Sequence, residues 1–272
     1  MTDFLQDMAA SSRERAARLP DAYPDAALER PSFPLSLDTF DIIAEIKNTS
    51  PAEGVLASGD SDRKQRARDY AHGGAVAISV LTEPSRFAGD VAHLEEVAAE
   101  VASIGLPVMR KDFLVDTRQI AEARACGASG VLLIAAMLSD RELASMLDCA
   151  FDHSLFVLLE SFDSEDLSRS TGLLRSNRYA DAAAAGQLLV GINTRNLRTL
   201  QVDPTRLERL SGELPTGVVA VAESGQATAD DVARVTGWGY SMALVGTALM
   251  RSSNPGELIA DMRAAGRQRK SV

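Results

Sequence analysis

Six charged side chains stand where buried apolar runs give out. Glu45 and Lys47 close the run from Ile42, Lys111 follows LPVMR, and Glu160 follows LFVLL. Arg195 comes just after LLVGIN, and Glu223 after VVAVA. A charge abutting an apolar run is costly unless it is paired or used. A single one is usually a solvated cap or a structural ion pair. Three acids and three bases from five separate runs form an acid–base set if those runs end on one rim. A lysine there can give up a proton, and a nearby glutamate can relay one near neutral pH. Two further pairs, Ser224-Gly225 and Gly246-Thr247, follow the last two runs, and Ser50-Pro51 follows the first. Glycine there lets backbone N–H groups come close to a phosphate.

The runs that must position these residues are short and rich in β-branched side chains. They span Asp41 to Ile46, Ala75 to Val80, Leu106 to Arg110, Gly130 to Ile134, Leu155 to Leu159, Leu188 to Ile192, Val218 to Ala222 and Met242 to Val245. They are nearly all apolar instead of alternating, as parallel strands buried on both faces are. Helical stretches such as Arg63 to His72, Asp90 to Ile104, Asp116 to Cys126, Asp140 to Phe151 and Thr228 to Gly237 lie between them. Several open on an N-capping Asp, Ser or Thr, and several close on Gly. Eight strand–helix units predict an α/β fold, a single (β/α)8 TIM barrel whose site forms where the strands end. An open doubly wound sheet is the alternative. Residues 1–40 stand outside the repeat: Thr2 to Leu19 predicts an amphipathic helix, and Pro20, Pro24, Pro31 and Pro34 then break the chain. The expected organisation is an N-terminal helical extension over 1–40, packed on a catalytic barrel over 41–272. Whether the extension plugs the bottom or lids the top is not written in the sequence.

Composition narrows the partners. A net charge of −10 disfavours an unassisted grip on a nucleic acid, while leaving room for a small anion held by locally gathered bases. No apolar run is long enough to span a membrane, and the first residues lack the apolar core of a secretory signal, so the expected location is the cytoplasm. Cys126 and Cys149 lack the paired spacing of a zinc site and are expected as reduced core thiols. The three histidines, His72, His93 and His153, fall in helical or connecting stretches. No metal or other cofactor is expected.

From Ile42 to Met250 the chain resembles the indole-3-glycerol phosphate synthase family. IIAEIKNTSPAEG is similar to that family's first-strand motif, and AISVLTEPSRFAGD, LPVMRKDFLVDTRQIAEARACGASGVLLIAAML, LVGINTRNLRTLQVD, VAESGQATADDVARV and ALVGTALMR follow in family order. The resemblance implies a cofactor-free lyase that cyclises, decarboxylates and dehydrates 1-(2-carboxyphenylamino)-1-deoxyribulose 5-phosphate in tryptophan biosynthesis. It implies Lys111 as the acid that protonates the substrate carbonyl, and Glu160 for later proton transfer. Glu45 and Lys47 then serve dehydration and anion contact, and Asn193 and Arg195 orient hydroxyls and carboxylate. Phe87 packs on the anthranilate ring, Glu223 contacts substrate, and Ser224, Gly225, Gly246 and Thr247 with Ser50 cradle the phosphate. Lys47, as a neighbouring cation, is expected to lower the pKa of Lys111. The partner is a small sugar phosphate, and the protein is expected as a monomer or weak homo-oligomer.

Three stretches depart from the family pattern. Asn48-Thr49 replace basic residues, which predicts a weaker hold on phosphate or carboxylate. Ser161-Phe162 replace a small aliphatic and polar pair. The segment from Asp163 to Gln187 is longer than usual, with the excess centred on Gly172 to Arg178 and expected on the bottom face, away from chemistry. The nearest rival, a phosphoribosylanthranilate isomerase, would need a cysteine at the end of the first strand, where none stands. A paralogue acting on a modified anthranilate, or a non-catalytic phosphate-binding barrel, is the other alternative.

Overall fold

A computed structural model describes residues 4–50, 54–55 and 60–270. Eight parallel strands close into a barrel: β1 (Asp41–Ile46), β2 (Ala77–Leu81), β3 (Val108–Lys111), β4 (Gly130–Ile134), β5 (Phe156–Ser161), β6 (Leu188–Asn193), β7 (Val219–Glu223) and β8 (Met242–Val245). β1 pairs with both β2 and β8, so no edge is left open. Each strand is followed by helix, which is the right-handed crossover that parallel neighbours need.

Side chains alternate between two cores. Ile43, Ala77, Met109, Leu132, Leu158, Leu189, Val221 and Leu244 fill the barrel interior. Ile42, Ile78, Val108, Val131, Val157, Val190, Ala222 and Val245 face the surrounding helices. Both faces of every strand are covered, hence the unbroken apolar runs.

Four strands run one or two residues past their apolar stretch. Lys111, Glu160, Asn193 and Glu223 therefore belong to the ladder and not to a loop: Lys111 pairs with Leu81, Glu160 with Ile134 and Gly191, and Asn193 with Glu223. The backbone ladder continues regardless of side-chain polarity. Strand parity then aims all four into the barrel, on the same rows as the interior apolar residues.

The chain before β1 touches both mouths of the barrel. The helix Phe4–Ala16 buries Leu5, Met8, Ala9, Ser12 and Ala16, a single helical stripe, against the C-terminal mouth. Arg15 on that helix grips Asp112, and Ser12 Oγ accepts from Gln119. The connector then descends: Phe33 N–H donates to Ser129 Oγ, ahead of β4, and Leu35 packs on the interior cluster from below. Between β5 and β6 two helices, Ser164–Leu173 and Asn177–Ala184, replace the usual one. Arg178 at their junction pairs with Asp148 and Asp152, at the bottom end of the helix Asp140–Asp152.

Candidate active site

A cavity of about 810 Å³ opens at the C-terminal mouth. Its floor is a buried charge cluster. Lys111 Nζ lies 3.3 Å from Glu160 Oε2 and 3.4 Å from Glu223 Oε2. Beside it, Lys47 Nζ pairs with Glu45 Oε1 at 2.7 Å. Glu45, Glu160 and Glu223 are all buried. Two glycines make room for them: a Cβ on Gly191 would collide with the Glu223 carboxylate, and one on Gly246 with that of Glu45. A glycine inside a strand is the mark of such a close approach, so LLVGIN carried a signal for Gly191 in the sequence.

Burial disfavours the ammonium of Lys111, yet the carboxylates of Glu160, Glu223 and Glu45 outweigh it and raise its pKa above the usual lysine value. The expected lowering by Lys47 is thus overturned. Lys47 is neutralised by Glu45, and the charges closest to Lys111 are acids. Glu223 goes the other way from an ordinary carboxylate: burial and repulsion by Glu160 raise its pKa, against the pull of Lys111. Glu160 and Glu223 each hold a buried Oε1 to which no group among the described residues donates.

One wall is apolar. Phe87 and Phe113 stand 6.3 Å apart at 36°, and Phe4 meets Phe113 edge-on at 5.9 Å. Leu132, Ile134 and Leu197 complete that wall. Phe113 is two residues beyond Lys111 and shares its parity, so its place was readable from the alternation. Phe4 comes from a helix whose docking site the sequence does not specify.

Opposite the apolar wall lie Ser224, Gly225, Gly246 and Thr247. Ser224 and Gly225 are both left-handed, with φ of 66° and 89°. For a serine this conformation is uncommon and is retained where the surroundings enforce it. Thr247 begins the short helix Thr247–Arg251, whose first N–H groups no helix carbonyl can accept. The Ser50 side chain and Pro51 lie outside the described residues.

Asn193 Oδ1 accepts from the Arg195 N–H at 2.9 Å, and Arg206 donates to the Asn193 and Thr194 carbonyls from behind. The loop they start carries Leu197, Leu200 and Val202 to the cavity rim. Arg198 fastens that loop to Asp163 and Asp166 after β5. No histidine lines the cavity, and the described residues contain no group of three or more His, Cys, Asp or Glu placed to hold a metal. Cys126 and Cys149 are free thiols, and among the described residues no helix is long and apolar enough to cross a membrane.

Comparison with known proteins identifies the family. A family model described as indole-3-glycerol phosphate synthase matches residues 8–262. A protein of that name from Paenarthrobacter aurescens is 42% identical over 258 residues, covering 94% of this chain and 88% of its own length. Another from Streptomyces griseus subsp. griseus is 39% identical over 254 residues, covering 93% and 86%. Among solved structures, 3-hexulose-6-phosphate synthase from Salmonella typhimurium superposes with a TM-score of 0.62 at 13% identity, over 85% of this chain and all of that one, a likeness of fold alone. The chain belongs to the indole-3-glycerol phosphate synthase family.

Proposed function

We propose that the chain is a carboxy-lyase that converts 1-(2-carboxyphenylamino)-1-deoxyribulose 5-phosphate to indole-3-glycerol phosphate in tryptophan biosynthesis. The observation that carries this is the placement of Lys111, with Glu160 and Glu223 around its ammonium, between an aromatic wall and a glycine-lined corner. The aryl ring packs on Phe87, the phosphate sits at the backbone of Ser224, Gly225, Gly246 and Thr247 with help from Lys47 and Ser50, and Asn193 and Arg195 orient the hydroxyls and carboxylate. Glu223 contacts the substrate from the floor. Held at both ends, the ring carbon faces the ketose carbonyl, and orientation of this kind removes much of the entropic barrier to closure.

Lys111 donates its proton to the carbonyl oxygen as the aryl carbon attacks, so charge transfer occurs in the transition state and not at rest. Carbon dioxide then leaves, and its bonding electrons restore the aromatic ring. In the last step Glu160 and the Glu45–Lys47 pair divide the work: one acid protonates the departing hydroxyl, which leaves as water, and one base takes the proton from the adjacent carbon. Glu223, whose Oε2 lies 3.4 Å from Lys111 Nζ, is placed to relay a proton back to it. The balance is one substrate and one proton in, with indole-3-glycerol phosphate, carbon dioxide and water out. No electron sink is called for, so the residues suffice without a cofactor.

The extension 1–40 and the barrel 41–272 work as one unit in this proposal, because Phe4 lines the cavity. The charge of −10 supports an enzyme that binds no nucleic acid, and the proposal takes it as a cytoplasmic monomer or weak homo-oligomer. Incubation with the carboxyphenylamino substrate while following indole fluorescence tests the activity, with turnover expected in the presence of EDTA. Absence of product from folded protein would overturn it in favour of a non-catalytic barrel. A sulfate- or phosphate-bound crystal structure tests the corner between β7 and β8, and an anion elsewhere on the rim would contradict it.

A further inference from the structure

We propose that Asn48 is a positioning residue for the substrate's aryl ring, acting through the turn that carries Phe87. This rests on the role given to Phe87 above. In the sequence, Asn48-Thr49 stands out as a loss of positive charge near the phosphate. The folded geometry directs these side chains elsewhere. Asn48 Nδ2 donates to the Ala88 carbonyl at 2.9 Å, and Thr49 Oγ1 lies 3.5 Å from the Arg86 carbonyl. Among the described residues, Asn48 does not line the cavity.

The turn in question, Pro84–Phe87, is a single helical turn, too short to hold itself. Its start is fixed by Glu83, whose buried carboxylate accepts from the N–H groups of Ser85, Arg86 and Phe87 at 2.8, 2.7 and 3.3 Å. Its end is Ala88, which is left-handed at φ 50° and not a glycine. Next, Gly89 passes so close to the backbone of Leu81 to Glu83 that a Cβ would collide. An end of this kind persists only where something outside enforces it. Asn48 supplies the donor.

The amide also fits for a second reason. Its Oδ1 accepts from Arg63 Nη1 at 3.4 Å, and Arg63 is itself buried with its Nε on Glu96 at 2.9 Å. The position thus asks for one donor and one acceptor on a short side chain. Lysine and arginine have no acceptor, so the basic residue that the family motif shows cannot make both contacts. Asn48 therefore links a helix-borne ion pair to the backbone directly after Phe87, and holds the ring in its tilted contact with Phe113.

Two variants separate the contacts. Asn48→Asp keeps the acceptor for Arg63 and loses the donor to Ala88, while Asn48→Ala loses both. Asn48→Asp is expected to raise KM about three- to tenfold with kcat nearly unchanged, as befits one lost neutral hydrogen bond, and Asn48→Ala at least as much. Inhibition by inorganic phosphate should stay the same. In a Phe87→Ala background, Asn48→Ala should add nothing further, because the residue acts through that ring. Hydrogen exchange of Asn48→Asp should speed up at residues 85–89 and be unchanged at 224–227. Unchanged exchange at 85–89, additive effects with Phe87→Ala, or weaker phosphate inhibition would each overturn the proposal. Should the parent protein fail to turn over the carboxyphenylamino substrate, the functional reading falls, and the exchange measurement still decides whether Asn48 holds the turn.

Discussion

Arg110, Lys111 and Asp112 are consecutive, and parity sends them to opposite sides of β3. On the helix side Asp112 receives two hydrogen bonds from Arg15, one from Thr82, one from the Phe113 N–H and one from Arg110. Arg110 is equally engaged, with Glu122, Thr82 and the Gln119 carbonyl. On the barrel side Lys111 touches two carboxylates at 3.3 and 3.4 Å, longer than good charged hydrogen bonds, and each carboxylate keeps one oxygen without a donor among the described residues. The two clusters are both buried and differ at their carboxylates: both oxygens of Asp112 are taken, although Arg15 Nε has no partner among the described residues, while Glu160 and Glu223 each keep one free. A saturated network is fixed and holds the N-terminal helix on the barrel. An undersaturated one retains bonding capacity that a substrate can complete, which is how a buried charge becomes reactive without being free.

Asp112→Ala tests the saturated side and should have the largest effect. Removing one partner leaves Arg15 and Arg110 uncompensated, and breaking a buried ionic network typically costs about 3–5 kcal/mol. Urea unfolding measures it, and a loss under about 1 kcal/mol would show that the network is not structural. Lys111→Ala tests the other side. It should leave the fold intact and lower the rate of ring closure by about 100-fold or more, the usual worth of a general acid. Near-normal turnover would remove Lys111 from the chemistry.

Opposite pH slopes sharpen the contrast. Burial would raise Asp112, but Arg15, Arg110 and Thr82 outweigh it and hold its pKa below the ordinary 3.8. The native state then binds fewer protons than the unfolded one, so this stabilisation is complete above 3.8 and fades as pH falls below it. Glu223 is raised above its ordinary 4.5, so its contribution is complete below 4.5 and fades as pH rises from there through the raised value. Denaturation midpoints across pH should therefore flatten on the acid side in Asp112→Asn and on the neutral side in Glu223→Gln. The same change of slope in both variants would sink the distinction.

The smallest effect is expected where neither cluster reaches. Shortening Gly172 to Arg178 should leave turnover within a few-fold, since Arg178 is bound to Asp148 and Asp152 on the far side of the barrel and loop length itself costs little, about 0.6 kcal/mol per doubling. A shortened protein that melts normally yet loses turnover would mean that the segment couples to the rim.

The eight strands, the helices between them and the charged residues that end on the rim were legible in the chain alone. Each of these is written in local periodicity: an unbroken apolar run requires two covered faces, and its polar terminus marks where cover stops. The motifs from Ile42 to Met250 also carried the family. Tertiary structure alone decided the rest. The helix Phe4–Ala16 has one apolar stripe that would suit either mouth of the barrel, and the contacts of Arg15 and Ser12 with distant residues chose the upper one. Asn48 read as a missing charge until its donor and acceptor were seen to face Ala88 and Arg63. Lys111 shows the reason most plainly. Its position and type were legible, but the direction of its pKa depends on which charges lie closest in space, and Glu160 and Glu223 reach it only when the barrel has closed.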